Sequence, residues 1–318
     1  MTGPLLIPAP TPKKSHTRLG LVLAIATALS FGTSGALAKG FIDAGWTPGS
    51  VVLARIWIAA IALAIPTIIA MRGKWSVMRK AWPIVLLYGA LAVAATQLFY
   101  FQAVVTIDVG IALLIEYTAP VLVIVWVWVR SRVRPSGATF IGAAIALLGL
   151  AVMLNVFSGV TADPVGVLWA LGAMVGAAAY FILSARQDTG LPPIALAGFG
   201  LFVGGTGLGL AGLVGILPLN LSTDLVTYVF GSVPFWIPLL ALGLVSAALA
   251  YALGIISTRM LGSRLASFVA LSEVVAAVLY GWLLVGQVPG LFEIIGGVLV
   301  LVGVVIVKLG EKEVDALA

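Results

Sequence analysis

Long apolar runs separated by short polar connections follow one another from Leu19 almost to the end of the chain. Ten can be marked, at approximately 19–38, 50–71, 82–104, 108–129, 138–157, 164–184, 194–216, 234–256, 264–285 and 290–309. A helix of about 20 residues rises roughly 30 Å, enough to cross the hydrocarbon core of a bilayer. The pattern therefore predicts an all-α polytopic membrane protein with ten transmembrane helices. Connections are short throughout, which leaves no sizeable extramembrane domain to hold a separate site. The run from Leu19 continues to about Ala38 without the short apolar core and cleavage site of a signal peptide, so it is expected to stay as the first helix. Residues 1–18 and 310–318 form polar tails.

Composition supports the same class. Of 318 residues, 62% are hydrophobic and 9% are charged, whereas soluble domains carry about 25% charged residues. The formal charge of +6 would suggest nucleic acid only if the basic residues formed a groove. They sit instead in short clusters between apolar runs, so no nucleic-acid partner is expected, and the lipid bilayer is the expected surrounding.

Those clusters also orient the chain. With the N-terminus inside, the cytoplasmic side receives Lys13, Lys14, Arg18, Arg72, Lys74, Arg79, Lys80, Arg130, Arg132, Arg134, Arg186, Arg259, Arg264, Lys308 and Lys312. That is fifteen of the seventeen lysines and arginines, as the positive-inside rule requires. Lys39 is external and Arg55 falls within the second segment, while Asp43, Asp108, Asp163 and Asp224 collect outside. Gaining or losing one whole helix would scramble this split. Both termini are thus expected in the cytoplasm, with the chain in the cytoplasmic membrane.

The chain also repeats itself. Ile141-Gly142 through Leu148-Gly149 matches Ile295-Gly296 through Val302-Gly303 at an offset of 154 residues, close to half the length. Five helices per half make the second half enter the membrane upside down. The expected architecture is a 5+5 inverted repeat, 19–157 followed by 164–309, a common plan of secondary transporters. Gly142 and Gly149 lie two helical turns apart, as do Gly296 and Gly303, and are expected to form close-packing faces between helices.

Charges inside a membrane segment are costly and face protein or a water-filled cavity. Three stand out: Arg55, Glu116 and Glu273. The two glutamates lie about 12–15 Å from their entry surfaces, near the midplane, in helices that occupy equivalent positions in the two halves. They are analogous in depth only, since position 116 maps to Ala270. A proton-coupled carrier could exploit either acid, and a cationic or amphoteric solute could pair with one; a structural polar contact closing the bundle is the alternative. Arg55 could snorkel to the external interface or guard the mouth of a pathway. Tyr117, Gln97, Tyr100, Ser246, Tyr251, Ser272 and Ser34 are the polar and aromatic neighbours that could complete a chamber. Pro120 frees a backbone carbonyl one turn earlier, around Glu116, and is expected to bend the fourth helix. Tyr180 and Trp169 could be cavity walls or interface aromatics, while Trp82, Trp126 and Trp128 lean toward packing or interface roles.

Enzyme chemistry finds no footing. Cysteine is absent and the single histidine, His16, lies in the N-terminal tail, so thiol catalysis and a histidine metal cluster are excluded within one chain. No Gly-rich loop carries the Lys and Ser/Thr that nucleotide phosphate needs. No cofactor is expected, and the sequence specifies no oligomeric partner. A channel, or a structural membrane protein with both glutamates satisfied locally, remains the alternative to a carrier.

In this setting the chain resembles the EamA-like permeases of the drug/metabolite transporter superfamily over roughly residues 18–308. The stretches that carry the likeness are Ala28-Leu29-Ser30-Phe31-Gly32-Thr33-Ser34, Arg55, Tyr117-Thr118-Ala119-Pro120, Leu271-Ser272-Glu273-Val274 and Gly281 through Gln287. It departs from many relatives at Val274, where they have proline, at Gln287, where they have glutamate, and in the Arg130–Arg134 region, which lacks an acid. The resemblance implies a carrier of small metabolites in the cytoplasmic membrane, often outward, with amino-acid exporters as the nearest comparison. Its partners would be a small-molecule solute and, with the acids at midplane depth, protons.

Overall fold

The structure is a computed structural model that describes residues 14–107, 109–156 and 163–317. The first thirteen tail residues, Asp108, the expected end of the fifth segment at 157, the connection to 162, and Ala318 lie outside the described residues.

Ten apolar helices follow in order: α1 (Thr17–Asp43), α2 (Pro48–Ala70), α3 (Trp75–Ala103), α4 (Ile111–Ser131), α5 (Gly137–Met153), α6 (Pro164–Ala185), α7 (Pro193–Leu213), α8 (Trp236–Leu261), α9 (Ser263–Val285) and α10 (Leu291–Gly310). Among the described residues, all but α5 are long and apolar enough to cross a membrane, and α5 falls short at 17 residues. Large apolar side chains such as Ile61, Ile65, Leu168 and Val298 face outward, an exterior suited to hydrocarbon.

Helix starts follow local chemistry. Thr47 caps α2 by accepting from Ser50 N at 3.4 Å, with Pro48 supplying the first helical residue. Ser136 accepts from Thr139 N at 3.1 Å to open α5, and Asp163 accepts from Val165 N at 2.9 Å ahead of Pro164 in α6. A short polar acceptor satisfies an orphan amide, and proline at the first helical position sacrifices none.

Several helices outrun their apolar stretches, α3 for instance beginning at Trp75 rather than 82. The first continues to Asp43, where Lys39 pairs with Asp43 one turn on, and Phe41 in that extra turn is fully buried. The eighth continues to Leu261, and Arg259 in its last turn donates to the Ser184 and Leu191 carbonyls at 3.2 and 2.7 Å; the positive φ of 79° at Gly262 then ends it.

The α7–α8 connection holds an antiparallel hairpin, β1 (Val226–Tyr228) and β2 (Gly231–Val233), an addition to the all-α expectation. Val226 is fully buried, the Tyr228 hydroxyl donates to the Leu37 carbonyl at 2.9 Å, and Val229 N donates to the Leu284 carbonyl at 3.0 Å. The hairpin thereby ties the end of α1 to the end of α9, at the end of the bundle away from most lysines and arginines. Burial pushes the pKa of the Tyr228 phenol up, keeping it a neutral donor.

The two halves repeat in three physical features. A Cβ on Gly142 would meet the Gly303 carbonyl at 2.7 Å, and one on Gly303 would meet the Gly142 carbonyl at 2.6 Å. Gly149 and Gly296 approach each other in the same way, so α5 and α10 make the most extensive helix contact in the molecule. A π-helical stretch interrupts α3 at Tyr88–Ala95 and α8 at Leu244–Leu249; the 154-residue offset superimposes their ends at 95 and 249. Finally, α4 breaks at Tyr117–Thr118 and α9 at Leu271, again 154 residues apart. Proline is therefore not required for the second break: Val274 keeps its N–H but donates it to the Leu271 carbonyl at 3.2 Å, a tightened i to i−3 bond. The fold is an all-α polytopic membrane protein built as two inverted five-helix halves.

Candidate functional site

Between the halves lies a cavity of about 340 Å³, lined by residues of α1, α2, α3, α4, α6, α8 and α9. Much of its wall comes in pairs 154 residues apart: Gln97 with Tyr251, Tyr100 with Gly254, Leu113 with Ser267, and Tyr117 with Leu271. The cavity thus follows the repeat. Its acids do not: Glu116 corresponds to Ala270 and Glu273 to Ala119, all four on the wall. Each carboxylate faces a chamber whose mirror position carries only a methyl group.

Eight of the ten residues singled out from sequence share this wall: Glu273, Glu116, Arg55, Tyr117, Gln97, Tyr100, Tyr251 and Ser34. Ser246 and Ser272 lie off it. The first is fully buried in the π stretch of α8, and the second donates to the Val269 carbonyl at 2.6 Å. The lining also includes Thr27, Phe31, Tyr180, Ser257, Thr258 and Ser267. Nothing in the sequence marks most of these, since a serine or threonine in a helix equally often bonds back to its own carbonyls.

Arg55 does not snorkel. It is only 6% exposed, one Nη donates to Ser34 Oγ, and its buried Nε has no acceptor. Among the described residues no carboxylate lies within ion-pair distance of it; the two ion pairs found there are Lys39–Asp43 and Arg186–Asp188. A buried guanidinium with an unused donor is costly unless something anionic completes it.

Across the chamber, the Tyr117 hydroxyl donates to Glu273 Oε1 at 3.2 Å. Tyr117 comes from the break in α4 and Glu273 follows the break in α9, so this bond joins the two equivalent interruptions. An aromatic wall closes one side. Phe31 meets Tyr251 edge to face at 5.2 Å, and Tyr180 meets Tyr251 at 5.8 Å, geometries in which ring quadrupoles attract. Trp169 packs on Phe99 at 5.4 Å instead and stays off the cavity wall. Trp82, Trp126 and Trp128 are exposed on the outer surface. Among the described residues no group of three His, Asp or Glu side chains is placed to hold a metal ion.

Among the described residues, nine helices long and apolar enough to cross a bilayer, an inverted repeat and a small charged cavity between its halves fit a polytopic transport protein. The chain belongs to the EamA-like transporter family, whose model matches residues 18–155 and again 164–309. It is 25% identical over 264 residues to the uncharacterized transporter YdfC of Bacillus subtilis, covering 82% of this chain and 81% of that one. An uncharacterized transporter of Archaeoglobus fulgidus is 29% identical over 208 residues, 65% of this chain and 70% of the relative. A second Bacillus subtilis relative, the uncharacterized transporter YwfM, is 29% identical over 146 residues, and there the match spans slightly under half of each chain, 46% and 45%. A solved crystal structure superposes over 91% of this chain and 96% of its own with a TM-score of 0.71 at 22% identity, a likeness of fold.

Proposed function

We propose that this transporter is a secondary carrier for a small amphipathic zwitterion, an amino acid or a close relative, moved outward across the cytoplasmic membrane in exchange for protons. The observation that carries the reading is the buried Arg55 with its unused Nε donor, set in one chamber with two carboxylates. A solute carboxylate would complete Arg55, a solute ammonium would pair with an acid, and the Phe31–Tyr180–Tyr251 wall would receive an apolar side chain. The volume of about 340 Å³ sits at the small end of ligand pockets, which run from about 300 to 1,000 Å³. Inverted halves supply the alternating access that a carrier needs.

The test is flux from proteoliposomes loaded with labelled phenylalanine, leucine or threonine, with and without an imposed pH gradient. Saturable efflux that quickens when protons run inward is the expected result. Arg55→Gln should cut that flux at least about tenfold, because a charge-assisted hydrogen bond contributes roughly 1.5–3 kcal/mol. Flux that never saturates would point to a channel, and flux indifferent to the gradient would remove proton exchange.

A further inference from the structure

The two cavity acids have unlike surroundings, although they sit at equivalent interruptions. Glu116 is the last residue of the helical stretch Val109–Glu116. The carbonyls of a final helical turn lack intrahelical donors. Residue 120 is proline, so the Glu116 carbonyl also loses the amide that would bond it four residues on. The partial negative charge of a helix C-terminus disfavours an anion there. No side chain among the described residues donates to the Glu116 carboxylate: Tyr117 gives its hydroxyl to Glu273, and Thr118 gives its own to the Ile115 carbonyl at 2.6 Å. Tyr100 of α3, Tyr117 of α4, Tyr180 of α6, Tyr251 of α8 and Glu273 of α9 share the chamber wall with Glu116. Arg55 of α2 is on the same wall and gives its hydrogen bond to Ser34.

Glu273 stands on the other side of its break, in the first turn of the stretch Ser272–Tyr280, where a helix favours an anion. It accepts from Tyr117 at 3.2 Å. Arg55 of α2, Tyr100 of α3, Tyr117 and Glu116 of α4, Tyr180 of α6 and Tyr251 of α8 share the wall with it, and among the described residues Glu273 alone of the two acids receives a side-chain hydrogen bond.

We infer that Glu116 is the acid that carries the coupling proton and Glu273 the acid that receives the cationic group of the solute. This rests on the carrier reading above and divides its labour. The two negative charges repel across one chamber, so an ammonium on Glu273 eases release of the proton from Glu116, and loss of the solute eases its return. In each cycle Glu116 takes up one proton on one side and gives up one on the other, and the chain returns unchanged. Exchange follows from electrostatics between two acids rather than from competition for one.

The assignment can be tested without knowing the solute. Dicyclohexylcarbodiimide modifies protonated carboxyls in apolar surroundings, and peptide mass spectrometry of the full-length protein, labelled in detergent at neutral pH, locates the adduct. The expected adduct is mainly on Glu116, with Glu273 the minor product. Glu273→Gln should keep it and Glu116→Gln should abolish it. An adduct mainly on Glu273, equal labelling of both, or labelling of neither would overturn the assignment. Failure of the carrier reading shows separately, as absence of saturable flux from the unmodified protein.

Discussion

Tyr117 and Arg55 show how single side chains acquire meaning from what they reach. The tyrosine follows Glu116 in sequence yet serves Glu273, 156 residues away, through a 3.2 Å hydrogen bond. Tyr117→Phe removes that donor while keeping the ring in place. A bond to a carboxylate at this length should contribute about 1 kcal/mol, which is about a fivefold rise in the solute concentration that half-saturates flux. An unchanged concentration dependence would show that the bond does not support the solute site. Charge alone drew attention to Arg55, Glu116 and Glu273, because charges at membrane depth require a reason. Thr27, Ser257, Thr258 and Ser267 gave no such signal, since small hydroxyl residues can satisfy themselves on their own helix. Ser246 and Ser272 carried the same ambiguity and lie off the wall.

At the scale of elements, glycine spacing proved informative and helix ends less so. The α5–α10 contact depends on backbones close enough that any side chain at Gly142 or Gly303 would press into a carbonyl at 2.6–2.7 Å. Gly303→Leu should therefore destabilise the protein by about 2 kcal/mol or more, because rigid backbone cannot yield as a side chain can. Thermal unfolding in detergent measures it. Gly137→Ala is the matched control, since a Cβ there meets nothing within 4 Å, and its melting temperature should hold. Hydropathy ends where polar residues begin, so it missed the last turns of α1 and α8, where Phe41 is buried and Arg259 donates to the Ser184 and Leu191 carbonyls. It also passed over the hairpin at Val226–Val233, whose strands of three residues each are held by packing and hydrogen bonds to helix ends far away in sequence.

For the molecule as a whole, orientation is the outstanding prediction. Lys39 lies near the end of α1, whereas Lys74 lies in the exposed turn between α2 and α3. The absence of cysteine permits single-cysteine reporters with no background. In intact cells a membrane-impermeant maleimide should label Lys39→Cys and spare Lys74→Cys until the membrane is opened. The reverse pattern would invert the topology, and with it the direction assigned to the chamber.

The sequence by itself determined the class, the helix count and the inverted halves, because the bilayer imposes a length and a hydropathy on every crossing and lysine and arginine distribute by side. It also marked the three charges at membrane depth, since their cost is local. Only the tertiary structure decided which residues share a chamber, that Arg55 turns inward with a donor to spare, and that Tyr117 belongs to Glu273. Those relations join helices distant in the chain, and no periodicity along one helix encodes what another will bring opposite it.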